Sequence, residues 1–422
     1  MANKLHPSYY VSHKVYLIFF YLFFLFSYSP FFLTFAVETR QFFCIMIVQH
    51  PMLWCAVALM AGTAIGLYFP LPYYLPLLIL AVLACTFTKE TRHLHDVLTL
   101  LVWLLLGCSR AALVSDYDTK SAWQQDIEGK AKAVQTALIK RLETSGVSPQ
   151  TLALTEALVV GKKDDLGRET KQAYRQVGAS HLLALSGMHL GIIYGFLYII
   201  FIHWFRFSRW RWHVLPIILL CLWGYALVAG MPVSLVRAAL MLSIFTIFSL
   251  MEYDTDPLHP LALSAIIILL IAPTELLSIS FQLSFVAVFF LLALWRPIYE
   301  MFPKMPWLVR LFCVSCVASF GTMPLVAYYF HQVPLFGPVL SIILIPLTTL
   351  IIYLTIITIL LPVAPMAWLL NHVEALQQRI IELSGNIPFG QLTDVYPDKI
   401  LISMIYGAMI IAIIRLRTRE DQ

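Results

Sequence analysis

Long apolar runs recur along the chain, separated by short polar breaks. They lie near Met52–Phe69, Leu71–Phe87, His95–Val114, Leu182–Trp204, Val214–Ala229, Ser234–Met251, Leu258–Ile271, Ile279–Trp295, Leu308–Tyr328, Gly337–Leu361 and Lys399–Leu416, and an extra aromatic-crowded run, Val15–Val37, precedes them. A helix crossing a bilayer needs roughly 20 mostly apolar residues. A lipid-exposed open strand cannot satisfy its backbone hydrogen bonds, and the runs lack the two-residue alternation of a membrane barrel. The pattern therefore predicts an all-α, polytopic helical membrane protein of about 10–12 membrane segments, some of them broken or re-entrant. Composition agrees: 60% of the 422 residues are hydrophobic and only 12% charged, which excludes a water-soluble enzyme.

Charge placement sets the orientation. Cations gather in one short loop with Lys89 and Arg92, a second with Arg206, Arg209 and Arg211, a third with Arg296, Lys304 and Arg310, and a tail with Arg415, Arg417 and Arg419. Basic short loops stay in the cytoplasm. Met52 then starts inside, Val114 emerges outside, and the connector Ser115–Ser180 is external. Parity fails at the end, because the spans as read put the basic tail outside. One apolar segment after Arg310 must be re-entrant, interfacial or doubled. Gly337–Leu361 is the suspect, since Pro338 and Pro346 interrupt it. Residues 1–45 form a doubtful extension without a secretory cleavage pattern, and translation is expected to start at Met46. The remainder divides into a three-helix membrane segment (46–114), an amphipathic external connector (115–151) and a membrane core (152–422). In the connector Val134, Ala137, Leu138 and Leu142 are expected to share one apolar face. Between Ser115 and Ser180, ten Lys/Arg are balanced by nine Asp/Glu, so the segment fails as a free-standing nucleic-acid-binding module.

Polar residues inside apolar runs carry the candidate chemistry, because they are expensive there and face a bundle interior or a cavity. The richest stretch holds His181, Ser186, Gly187, His189, Gly191 and Gly195. The glycines recur every four residues, as in helices that approach closely. His181 and His189 would point about 80° apart on a straight helix, which argues against a two-histidine metal site on it. Ser234 and Arg237 open another apolar helix. An arginine at a helix centre costs about 2.5–3.5 kcal/mol on insertion scales, and its planar guanidinium suits a phosphate. Gln282 and Ser284 lie in a third helix. Two motifs are set aside. Cys313 and Cys316 sit in a membrane-type run without a second cysteine pair. His93, His95 and Asp96 begin a metal-hydrolase pattern that no further ligands complete. No P-loop, H-E-x-x-H or G-x-S-x-G is present, and neither a metal, a cofactor nor catalysis is expected.

Six blocks resemble, in order, those of the ComEC competence family: Leu158–Leu166, His181–Gly191, Pro232–Met241, Phe281–Ala287, Thr322–Leu325 and Gly337–Leu347. In the last block Ser341 stands where the family usually has Asn. The resemblance implies an inner-membrane channel that carries transforming single-stranded DNA into the bacterial cytoplasm. It places His181, Ser186, His189, Ser234, Arg237, Gln282 and Ser284 along the DNA pathway, with Gly187, Gly191 and Gly195 allowing close packing. It also implies a cytoplasmic motor or DNA-binding partner, an external DNA receptor and a separate nuclease. Longer members carry an OB-like domain and a metallo-β-lactamase-like domain, and this sequence resembles the membrane core alone. Two other readings stay open. A transporter of another solute would show inverted repeats. A non-transporting scaffold for a separate nuclease would use the glycine stripe as a homo-oligomer interface.

Overall fold

The structure is a computed structural model. It describes residues 51–69, 74–87, 92–114, 122–162, 165–183, 185–204, 211–251, 256–385 and 391–420. The run Val15–Val37 and the start at Met46 lie outside the described residues. The chain divides into two units between Trp54 and Cys55, and the contacts described belong to the second, Cys55–Gln422.

Each of the eleven apolar runs from Met52 onward forms a helix. They are α1 (Pro51–Tyr68), α2 (Tyr74–Phe87), α3 (Arg92–Val114), α7 (Gly187–Tyr198, continued by a π-helical stretch Ile199–Trp204), α8 (Arg211–Val228), α9 (Val233–Leu250), α10 (Leu258–Ile271), α11 (Ile279–Met301), α12 (Trp307–Phe330), α13 (Gly337–Leu360) and α15 (Lys399–Glu420). The connector folds into α4 (Ala122–Thr144), α5 (Pro149–Thr155), a π-helical turn Glu156–Val160 and α6 (Arg168–Gln176). One helix, α14 (Ala364–Gly385), had no counterpart among the runs. Among the described residues six helices are long and apolar enough to cross a membrane, and the chain is a polytopic helical membrane protein.

Local chemistry explains the element ends. Ser148 stands in extended conformation before α5, its hydroxyl accepts from the Thr151 amide at 3.3 Å, and Pro149 follows in the first turn, where its missing N–H costs nothing. The turn Glu156–Val160 stops at Gly161, whose φ of 84° is left-handed, a conformation that strains any side chain with a Cβ.

Three expectations need correction. Pro338 and Pro346 do not break their helix, and α13 runs unbroken over 24 residues. Pro338 occupies the first turn, where no intrahelical N–H is required. Pro346 lies in the interior, and helices packed within a membrane protein absorb such a residue. The apolar face of α4 is also rotated. Ala131 and Leu142 are buried, with Gln135 and Leu138 between them half-buried, whereas Val134 and Ala137 are exposed. The third concerns glycine. A Cβ on Gly187 would meet the Ala238 Cβ at 3.3 Å, but around Gly191 and Gly195 nothing lies within 4 Å. The stripe does not mediate a close crossing along its length. The tight crossing is elsewhere: Gly62 and Gly66 of α1 abut the backbone of Leu104 and Cys108 in α3, and Gly107 of α3 abuts Leu59 and Thr63. Four-residue spacing reveals where helices could approach, and only the fold shows where they do.

A strand pair bears on the parity problem. Strand β1 (Gln332–Pro334), just after α12, pairs antiparallel with β2 (Gln391–Thr393), just before α15, in the register Val333 with Leu392. The two strands therefore lie on the same side, and whatever joins them crosses the membrane an even number of times. The ladder and the 2.9 Å bond from the Tyr406 hydroxyl to the Gly321 carbonyl together set α15 antiparallel to α12. This direction puts the basic end of α15 toward the Arg310 end of α12, the arrangement the positive-inside rule favours. Both ends of α13 meet the connector. A Cβ on Gly178 would strike Pro334 and reach Gly337 at 3.7 Å, and Arg141 Nη2 donates to the Leu360 carbonyl at 3.3 Å.

Helix α14 packs back on α13 and on the connector through a polar seam. Gln377 is fully buried, donates from Nε2 to the Tyr174 hydroxyl at 2.9 Å and accepts from Thr348 Oγ1 at 3.3 Å. Thr151 donates to Glu374 at 3.4 Å, and the Ser148 amide donates to Asn371 Oδ1 at 3.0 Å. Around this seam the largest apolar cluster joins Leu142, Leu158, Tyr174, Leu182, Leu344, Ile351 and Leu370.

The arrangement has a direct test. A Tyr396→Cys chain should react with a membrane-impermeant maleimide in intact cells, and a Glu420→Cys chain only after permeabilisation, each read against the parent chain. A Leu335→Cys chain should label from the same side as Tyr396→Cys, and labelling of these two from opposite sides would refute the even crossing count.

Candidate functional site

Adjacent helices of the core alternate in direction, so the first turns of α7, α9 and α11 and the last turn of α12 meet at one end. That end faces the connector. Gln135 of α4 donates to the Val228 carbonyl at the end of α8 at 2.9 Å, which seats α4 there. Five of the sequence-predicted residues, Ser186, His189, Ser234, Arg237 and Gln282, lie at this level.

Ser186 is the extended residue before α7, and its hydroxyl sits 3.0 Å from Nδ1 of His189 one turn later. His189 is fully buried. Ser234, in the first turn of α9, donates to the Leu185 carbonyl at 2.7 Å, which ties α9 to the segment entering α7.

One turn further along α9 is Arg237, only 2% exposed. Its Nη1 bonds Glu275 Oε2 at 2.7 Å and its Nη2 donates to the Ser280 hydroxyl. Nε is buried with no hydrogen-bond partner among the described residues. Glu275 lies in the 3₁₀ turn Pro273–Leu277 that links α10 to α11, and Ser280 stands at the start of α11. A guanidinium so deep is tolerable because a carboxylate faces it. Gln282 extends the polar chain: its Nε2 donates to the Leu276 carbonyl at 3.0 Å, and its Oε1 accepts from the Tyr329 hydroxyl of α12 at 2.8 Å.

Two candidates stand apart. His181 is exposed in the turn Ser180–Leu182 and bonds locally, Nδ1 to the Gly178 carbonyl at 3.2 Å. Ser284 donates to the Ser280 carbonyl of its own helix at 2.7 Å, a back-bond common to serines in apolar helices.

Sequence reading missed Glu275, Ser280 and Tyr329. A signal existed for the first. Glu275 is the sole acid between Asp256 and Glu300, and a buried arginine requires a partner. The block Leu158–Leu166 forms a second charged cluster close by. Lys162 lies 3.5 Å from the buried Glu156 and 2.6 Å from Asp165. Burial pushes the Glu156 carboxyl above its ordinary value, while the Lys162 hydrogen bond holds that of Asp165 below.

The arrangement is a polar network joining the ends of neighbouring helices, in which the deep guanidinium of Arg237 is paired with a carboxylate. The family profile described as "Competence protein" matches residues 158–419, over half of the chain, and the chain belongs to that family. The resemblance seen in the six blocks is thereby borne out. It is 33% identical over 201 residues to ComE operon protein 3 of Bacillus subtilis (strain 168), covering 48% of this chain and 25% of that protein. Against Recombination protein 2 of Haemophilus influenzae (strain ATCC 51907 / DSM 11121 / KW20 / Rd) it is 28% identical over 226 residues, covering 49% and 28%. The matches thus span little more than a quarter of these curated relatives. No solved structure matches the chain.

Proposed function

We propose that this chain is the membrane-channel component of a natural DNA-uptake system and carries single-stranded DNA across a bacterial cytoplasmic membrane. Its supports are membership of the competence family and the polar lining from Ser186 to Tyr329. A polyanion crossing hydrocarbon needs a hydrated path on which binding is weak enough to permit release. An uncompensated buried arginine would hold phosphates. Arg237, paired with Glu275, offers hydrogen-bonding capacity with no net charge. On this reading Ser186, His189, Ser234, Arg237 and Gln282 line the pathway, and His181 and Ser284 flank it. Driving force comes from a cytoplasmic motor or DNA-binding partner, and an external receptor and a separate nuclease supply the strand. An oligomer of the chain would use surfaces other than the α1–α3 crossing, which is internal.

The test is uptake of fluorescently labelled DNA into the cytoplasm of a deletion strain. Deletion should abolish uptake, the chain should restore it, and Arg237→Ala should fail to restore it at normal membrane abundance. Unchanged uptake on deletion, in a host that takes up DNA, would overturn the proposal and favour a scaffold role.

A further inference from the structure

Arg110 lies in the last turns of α3, a helix that is otherwise apolar in this half, and outside the residues matched by the family profile. An ionisable residue at such a position is expensive and needs a defined partner. Arg110 has an unusual one. Its Nε donates to the Leu270 carbonyl at 2.6 Å and its Nη2 to the Ile271 carbonyl at 3.2 Å. These are the last carbonyls of α10, which lack intrahelical partners, and a cation complements the negative end of the helix dipole there. Four residues after Ile271 comes Glu275. The 3₁₀ turn Pro273–Leu277 is therefore held from three sides: by Arg110 of α3 just before it, by Arg237 of α9 through Glu275, and by Gln282 of α11 through the Leu276 carbonyl.

We propose that Arg110 is a positioning residue for the mouth of the pathway. By gripping two successive carbonyls at the end of α10 it sets where the turn begins, and so where Glu275 meets Arg237. The three-helix segment that precedes the family-matched core is on this account part of the functional unit. This inference rests on the reading of the Arg237 cluster as the pathway mouth, and its test separates the two.

A Leu276→Cys reporter is placed in the turn, and its labelling rate by an impermeant maleimide is measured with and without Arg110→Ala, after subtraction of labelling in the chain without the reporter. Uptake per membrane-embedded chain is measured in parallel. Arg110→Ala should speed labelling several-fold and lower uptake roughly tenfold, in line with coupling between residues that share one bonded network. Arg110→Lys, which keeps the charge but lacks the rigid planar fork that bonds the two carbonyls from Nε and Nη2, should fall between, and it carries the test if Arg110→Ala does not accumulate. Unchanged labelling in both variants overturns the proposal whatever uptake does. Faster labelling with full uptake also overturns it: if Arg237→Ala still blocks uptake, only the role of Arg110 is lost, and if it does not, the reading of the mouth fails as well.

Discussion

Replacing Glu275 by Ala should remove most folded protein from the membrane, while replacing Arg237 by Ala should leave far more of it in place. The asymmetry follows from exposure. The Arg237 side chain is 3% exposed and that of Glu275 20%. Without Glu275 a guanidinium is stranded away from water, and breaking a buried pair in that direction costs about 3–5 kcal/mol. Without Arg237 the remaining carboxylate, 20% exposed, can still reach solvent, so the penalty is smaller. The double change Arg237→Met with Glu275→Leu should then recover abundance, because well-packed apolar replacements of a buried pair are often neutral. Uptake should stay absent in the double variant, since the polar lining is gone. Membrane abundance by immunoblot and uptake by fluorescence read the two effects separately. Equal loss of abundance in the two single variants would contradict the burial argument. Restored uptake in the double variant would remove the pair from the pathway.

Gly62→Leu is expected to be at least as damaging, for a different reason. A Cβ at Gly62 meets the backbone of Leu104 rather than a side chain, and backbone in a packed helix cannot step aside. Overpacking costs about 1–3 kcal/mol where side chains can shift, occasionally more, and here the α1–α3 crossing must open. Gly191→Ala should do the reverse. Nothing lies near its Cβ position, and an alanine in a helix interior is favoured over glycine by roughly 0.8–1 kcal/mol. Thermal unfolding in detergent should rank Gly62→Leu well below the parent and Gly191→Ala at or above it. A stable Gly62→Leu chain would show that the two helices do not touch there.

These contrasts show what the sequence could and could not convey. Apolar runs are legible because a bilayer imposes length and hydropathy on every crossing, and each run from Met52 onward became a helix. Helix α14 escaped because Asn371, Glu374 and Gln377 look like a solvated face. They are instead the seam against Thr151, Tyr174 and Thr348, and tertiary pairing of that kind leaves no local period. Arg237 could be picked out as costly, but its partner is 38 residues away, and a linear reading does not rank distant acids. Parity, by contrast, was legible as a contradiction. It demands one more reversal after Arg310, and the β1–β2 ladder, which brings residue 391 beside residue 334, is a pairing that no linear reading of the prolines supplies.

The β1–β2 ladder has an evolutionary reading. It brings the chain back, at residue 391, to where it left at residue 334, so the excursion carrying α13 and α14 has adjacent ends, like a domain spliced into a host. The length of such an excursion can change at its outer turns without re-threading the C-terminal helix, while its inner face stays fixed by the seam against the connector. Where α15 starts, and so where the cations in its last turns end up, is thus pinned by the ladder rather than by the length of the segment in between.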